Sequence, residues 1–437
     1  MKGIKVAVFM AASALLLSSP AMAFHTGGVA DCDGCHTMHN SDGNVAMKTT
    51  GGISQFKAGP YLLQGSSPSE ACLNCHESTP GSYHISTPTG TTGDVASPNG
   101  KVYQFTPGGD FRWLTNGGAG HQINAPAFGY NQAAGTAPGG GAQAYPASAL
   151  NCSSCHDPHG KYRRTTETAS YKTSGAPIKA SGSYITSVAP ATSAAVGAYR
   201  ILGGANYLAK SAGAGVANFV ADPPAAMAPS TYNVSNNATT PAGLQVATQR
   251  VVYMSGMAEW CANCHGAMHM DAYTTGASLQ SNGFNVHPAG NDVKLTQAGI
   301  NNNYNAYVTS GNMNGAQASS YLDIVPFETG SSDFAATKTT GLTLAGPDAN
   351  SNVMCLSCHR AHASGFPSMT RYGIAYELVT VDDGTGAGAV YTLGRNGAPA
   401  YGATYTTADM QTAYYGRSAN AFGAWQRDLC NKCHAKD

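Results

Sequence analysis

The sequence predicts a mostly irregular polypeptide, with short helices at a recurring five-residue motif and a few short strands, wrapped around bound groups instead of an aliphatic core. Three observations predict this class. Cys-x-x-Cys-His occurs six times, at Cys32/Cys35/His36, Cys72/Cys75/His76, Cys152/Cys155/His156, Cys261/Cys264/His265, Cys355/Cys358/His359 and Cys430/Cys433/His434, and uses all 12 cysteines. Leu, Ile, Val and Phe together number 64 of 437 residues, about 15%, below the roughly 20% at which a conventional core becomes doubtful. The segments between motifs are rich in Gly (53 in all), Ala, Ser, Thr, Asn and Pro, with weak helical periodicity.

The motif has a chemical reading. Cys-x-x-Cys-His is the attachment signature of c-type haem: the two thiols add across the two vinyl groups of one porphyrin, and the next His ligates the iron. Structural zinc needs paired Cys-x-x-Cys clusters without a His fixed after each one. A disulfide framework needs no His at all, and this chain is far longer than disulfide-stapled domains. The prediction is therefore a multihaem c-type cytochrome with six covalent haems. Six porphyrins also supply the missing apolar surface, so the haem-free chain is expected to be unfolded, as small metal domains are without their metal.

Along the chain, the basic start Met1-Lys2-Gly3-Ile4-Lys5, an apolar run over 6–17 and Ala21-Met22-Ala23 read as a secretory signal peptide, 1–23. Cleavage after Ala23 leaves 24–437, expected to be one hexahaem domain because no domain boundary interrupts it. No later stretch approaches the ~18 apolar residues of a membrane helix, so the expectation is an exported protein without a membrane span. The first cysteines of successive motifs lie 40, 80, 109, 94 and 75 residues apart, too unequal for a solenoid. Short helices are expected to begin within the motifs and run a turn or two past each His. Strands are expected at 249–253 and 372–381, where apolar and β-branched residues cluster, and loops at 135–141 and 211–215. Charged residues are only 11%, and Lys+Arg equals Asp+Glu at 23, so no net field points to nucleic acid or an anionic membrane.

Eight histidines lie outside the proximal positions: His25, His39, His84, His121, His159, His269, His287 and His362. Six irons with two His each need six of them. Three motifs continue as His-x-x-His, pairing His36 with His39, His156 with His159 and His359 with His362. On a helix these pairs share one face, so the second His must ligate a different iron. His121 and His287 sit in loops suited to presenting a lone distal ligand, His25 is beside the expected N-terminus, and His269 is the weakest candidate. Met38, Met268 and Met270 are alternatives that would raise the potential. Bis-His irons leave no open site for a substrate, which points away from catalysis.

The chain resembles the filament-forming, outer-surface hexahaem cytochromes of the nanowire family. The resemblance is carried by 24–40, 152–164 (CSSCHDPHGKYRR), 197–204 (GAYRILGG), 259–265, 287–290, 355–366 (CLSCHRAHASGF), 413–417 (AYYGR) and 429–437, in order along nearly the whole mature chain. The spacers near 90–145, 230–248 and 380–410 match poorly. The resemblance implies an irregular fold around a continuous haem chain of alternating parallel and T-shaped pairs, bis-His ligation throughout, and ligation of a neighbouring subunit's haem by His39. Motifs near both chain ends suit a head-to-tail contact that polymerises if its rotation does not close. The expected function is an extracellular electron conduit, a homopolymer passing electrons to metal oxides, partner cells, electrodes or other multihaem cytochromes. A monomeric periplasmic carrier and a multihaem oxyanion reductase are the alternatives.

Overall fold

The structure, a computed structural model, describes residues 32–37, short strands between 41 and 54, 60–77, 85–86, 108–115, 119–140, 144–159, 163–164, 171–172, 202–209, most of 213–227, 252–268, 280–281, 284–285, 289–290, 300–322, 325–329, 346–374, most of 376–392, 407–414 and 417–435. Regular structure is sparse; helices Ile300–Ala306, Gln317–Ser320 and Thr407–Ala413 lie away from the motifs, and the other described α-helices lie at them. Helices cover Cys32–Cys35, Pro68–His76, Cys152–Cys155, Met257–His265, Cys355–Cys358 and Cys430–Cys433. Four of them stop at the second cysteine, and the other two end on the His. The expectation that helices run on past each His is thus corrected, with one short 3-10 turn, Gly266–Met268, as the exception. The reason is local: His36, His156, His359 and His434 donate their N–H to the first cysteine's carbonyl at 2.8–3.0 Å, which closes a single turn. His156 (φ −103°, ψ 135°) and His359 (φ −113°, ψ 163°) then leave in extended backbone.

Among the described residues, strands pair in seven two-stranded antiparallel units. Most are local hairpins, but Ala119–Gly120 pairs with Ala363–Ser364, and Ala226–Met227 with Val252–Tyr253. The strand expected at 249–253 is seen as Val252–Tyr253, and that expected at 372–381 begins only at Thr380, as Thr380–Asp382 paired to Ala389–Tyr391. Before it, Gly373 turns the chain and Val379 N–H goes to Gln426 O at 2.6 Å, outside any ladder. Gly135 and Gly139 within 135–141 have φ of +87° and +64°, the left-handed conformations of a loop.

The largest buried cluster joins Trp113, Tyr304, Phe327, Phe366, Tyr372, Tyr391, Tyr414 and Phe422 to residues as late as Leu429, with Cys358 and Cys433 against it. Tyrosine, 23 residues of the chain, is what fills the place of the scarce aliphatics. Tyr391 lies parallel to Tyr414 at 5.5 Å, and Phe422 meets Tyr414 at 5.3 Å, inclined by 60°. Such aromatic pairs add to simple burial. Smaller clusters gather Leu73, Phe111, Ile123 and Tyr130 beside the second motif, and Tyr253, Met257, Met354 and Leu356 between the fourth and fifth. Among the described residues no helix is long and apolar enough to cross a membrane.

Candidate haem-attachment sites and axial ligands

A single helical turn brings positions i and i+3 to the same side, so each motif presents its two thiols together. A four-residue helix cannot hold itself, and side-chain acceptors cap five of the six motif helices. In the third and fifth motifs the residue before the second cysteine is a serine. Ser154 Oγ accepts the N–H of Asn151 at 2.9 Å, and Ser357 Oγ accepts that of Met354 at 3.1 Å. Ser67 caps the second motif's helix through Glu70 N–H at 3.1 Å, and Asp428 Oδ1 accepts Cys430 N–H at 2.8 Å in the sixth. The fourth helix is capped by Glu328, 71 residues from Met257, whose N–H it accepts at 2.7 Å, with Gly256 N–H at 3.2 Å. Burial, and secondarily the nearby Glu259, push the Glu328 pKa up to about 8.

The thiols themselves adjoin. Cys72 lies beside Cys152, and Cys261 beside Cys355, so groups attached to the second and third motifs, and to the fourth and fifth, would lie close together. All twelve cysteines are free of disulfides. Burial pushes Cys264 and Cys433 up to about 11 and Cys358 to about 12, away from the thiolate of reactive or zinc-binding cysteines.

Five imidazoles share one feature. Nδ1 of His36 lies 3.0 Å from Tyr61 O, of His121 2.5 Å from Ala361 O, of His265 2.7 Å from Pro138 O, of His359 2.7 Å from Ser368 O and of His362 3.3 Å from Gly109 O. A carbonyl only accepts, so Nδ1 carries the proton and Nε2 keeps its lone pair. That is the tautomer of a metal-ligating histidine. Burial also lowers the pKa of His121, which favours the neutral ring a ligand requires.

These rings meet in pairs. Ring centres lie 6.2 Å apart for His36 and His159, 6.0 Å for His121 and His265, and 6.3 Å for His156 and His362. Two metal–nitrogen bonds of about 2 Å, with about 1 Å from each nitrogen to its ring centre, give about 6 Å. Each gap therefore fits one six-coordinate iron between two imidazoles. His159 and His362 each face the proximal His of another motif. The helical premise behind that expectation is corrected: His156 and His359 are extended, and extended backbone, not a shared helix face, turns the second imidazole away.

Positioning residues missed by sequence reasoning surround these rings. His362 N–H donates to Gly108 O at 2.6 Å and its ring lies 4.8 Å from that of Phe111; a Cβ on Gly108 would come within 3.0 Å of the His362 ring. His121 N–H donates to His362 O at 2.9 Å, and Gly120 beside it allows the two strands to touch, since a Cβ there would be 2.5 Å from Ala363 Cβ. Met268 packs against Gly139, while His265 faces His121. His76, His359 and His434 close their motifs. His25, His39, His84, His269 and His287, with Met38 and Met270, lie outside the described residues.

No protein-family model matches the chain. It is 48% identical, over an alignment of 464 positions covering all of both chains, to the C-type cytochrome OmcS of Geobacter sulfurreducens. Its fold matches the cryo-EM structure of the OmcS nanowires from that organism with a TM-score of 0.76 and 45% identity, over 95% of this chain and all of that one. A second structure, of the outer membrane cytochrome S filament from Geobacter sulfurreducens, matches with a TM-score of 0.75 at the same identity and coverage.

Proposed function

The chain belongs to the OmcS family of c-type cytochromes, and from that premise we propose that it is the subunit of an extracellular filament that conducts electrons through six covalently bound haems. Each haem, when bound, gains and loses one electron at its iron. The chain's own residues attach, orient and enclose these groups. We assign the twelve motif cysteines to attachment, and His36, His76, His156, His265, His359 and His434 to the proximal positions. His159, His121 and His362, which face His36, His265 and His156, would be the second ligands of the first, fourth and third irons. Three of His25, His39, His84 and His287 are left to supply the second, fifth and sixth irons, His39 across the subunit contact.

The observation that carries this reading is the set of imidazole pairs drawn from different motifs. His156 and His159 face partners in two separate pairs, and three residues of chain span at most about 10 Å. The irons of the first and third motifs are thereby held as neighbours, and His359 and His362 do the same for the third and fifth. The thiol contacts add the second motif to the third and the fourth to the fifth, and Cys358 and Cys433 pack on one cluster. These contacts link all six sites into one connected set, which supports reading 24–437 as one unit around it. Irons closed on both sides by His serve electron transfer and not catalysis.

The test is a denatured haem assay together with negative-stain microscopy of the secreted protein. Six haems per chain and long fibres are expected. Small particles would identify a monomeric carrier instead, and five-coordinate, high-spin iron in the oxidised spectrum would identify a reductase.

A further inference from the structure

We propose that residues 61–62 and 368–369 form a pair of left-handed straps that position the proximal imidazoles His36 and His359 and set the potential of the irons these would hold, an inference that rests on the haem reading above. The two straps are the same device. In the first motif His36 Nδ1–H donates to Tyr61 O at 3.0 Å, Thr37 N–H to Leu62 O at 2.7 Å and Gln64 N–H to Cys35 O at 2.8 Å. In the fifth, His359 Nδ1–H donates to Ser368 O at 2.7 Å, Arg360 N–H to Met369 O at 2.7 Å and Arg371 N–H to Cys358 O at 2.8 Å.

The backbone agrees angle for angle. Tyr61 has φ 59° and ψ 25°, and Ser368 φ 53° and ψ 24°; Leu62 and Met369 follow at φ 59° and 60°. Two successive left-handed residues that carry side chains are a disfavoured arrangement, kept where the surroundings over-determine it. Here the three hydrogen bonds do so, and Pro60 or Pro367 fixes the entry. The fourth motif reaches the same end with glycine. His265 Nδ1–H donates to Pro138 O, and Gly139 O, at φ +64°, accepts Ala267 N–H at 2.7 Å. The side chains of the straps share nothing, Tyr-Leu against Ser-Met, so it is the backbone conformation that is repeated.

A carbonyl held against Nδ1–H makes Nε2 a stronger donor to the metal, which favours the ferric state and lowers the potential. Tyr61, Leu62, Ser368 and Met369 are positioning residues in this sense. Leu62 is 50% exposed and Ser368 is exposed too, so their substitution reads the backbone more than the packing.

The test compares Leu62→Val with Leu62→Gly, and Ser368→Val with Ser368→Gly, by spectroelectrochemical titration of the haem-loaded protein. Valine rejects φ near +60°, whereas glycine accepts it. Each valine variant is expected to keep six haems while about one sixth of the titration amplitude moves to higher potential. A tenfold loss of ferric preference is about 59 mV for one electron. A high-spin fraction should also appear in the oxidised absorption spectrum, because the loosened imidazole dissociates more readily from its iron. Glycine variants should follow the wild type on both readouts. If a valine variant loses its haem, the alanine variant, also disfavoured at positive φ, takes its place in the comparison with glycine. Valine variants that titrate like wild type, or glycine variants that shift as far as valine, overturn the proposal. A wild-type chain without six haems would instead defeat the haem reading.

Discussion

Glu328 offers a prediction whose size follows from its surroundings. Its side chain is fully buried, accepts the N–H groups of Met257 and Gly256 through Oε1, and accepts Asn352 Nδ2–H at 3.4 Å through Oε2. Burial, with Glu259 as the nearby like charge, pushes its pKa from 4.5 to about 8. Between those values the native state holds a proton that the unfolded chain has released, so this group makes stability fall as pH rises. The slope reaches about 1.4 kcal/mol per pH unit, with an upper limit of roughly 5 kcal/mol across the window. Glu328→Gln keeps the acceptor oxygen and removes the titration. It should match the wild type within about 1 kcal/mol at pH 5 and exceed it by a few kcal/mol at pH 8. Glu328→Ala strands the buried Met257 N–H at about 1–3 kcal/mol and the half-buried Gly256 N–H at less, and should be destabilised by roughly 2–5 kcal/mol at pH 5. Guanidinium unfolding at the two pH values, followed by circular dichroism, measures all three proteins. Equal losses in the Gln and Ala variants at pH 5, or a Gln variant that stays parallel to wild type from pH 5 to 8, would refute the reasoning.

Three further variants probe the haem sites. Gly120→Val places a Cβ 2.5 Å from Ala363 Cβ and His362 O, so the strand pair must part by about 1–3 kcal/mol of overpacking and carry His121 away from His265; high-spin iron at one site should appear in the absorption spectrum. Replacing Cys72 and Cys75 by Ala should lower the denatured haem assay from six to five per chain and remove the group beside that of the third motif, and end-to-end conductance left unchanged would contradict a path running through it. His39→Ala should leave six haems while abolishing long fibres in negative stain; normal fibres in that variant would exclude the intersubunit ligand.

The attachment chemistry was legible because it needs particular side chains at fixed spacing: two thiols one helical turn apart and an imidazole beside the second. The scarcity of aliphatics was legible too, but not what would fill in for them. Tyr372, Tyr391 and Tyr414 lie far apart in an irregular sequence with no period to mark them as one cluster, and only the tertiary fold stacks them. The helix lengths were misjudged for a related reason. One hydrogen bond, from His N–H to the first cysteine's carbonyl, ends the turn at His36, His156, His359 and His434, and nothing in the residues that follow announces that stop. Glu328 was silent because a cap is normally sought just before its helix, and this one arrives from 71 residues away.

The orientation of the imidazoles turns on something a sequence does not display. The acceptors that orient His36, His121, His265, His359 and His362 are all backbone carbonyls, those of Tyr61, Ala361, Pro138, Ser368 and Gly109, and four of the five lie 25 to 253 residues from the ring they hold. Any residue type can supply a carbonyl, so no side-chain pattern marks these positions. What the chain must conserve there is a path: left-handed turns at 61–62 and 368–369, and close approaches at Gly108 and Gly120 that admit no Cβ. The irregular spacers are therefore the part of the molecule that fixes imidazole orientation, while the motifs only tether what is oriented. It follows that exchanging motif residues other than Cys and His should disturb the irons less than moving one of these carbonyls by a single-residue insertion in its loop.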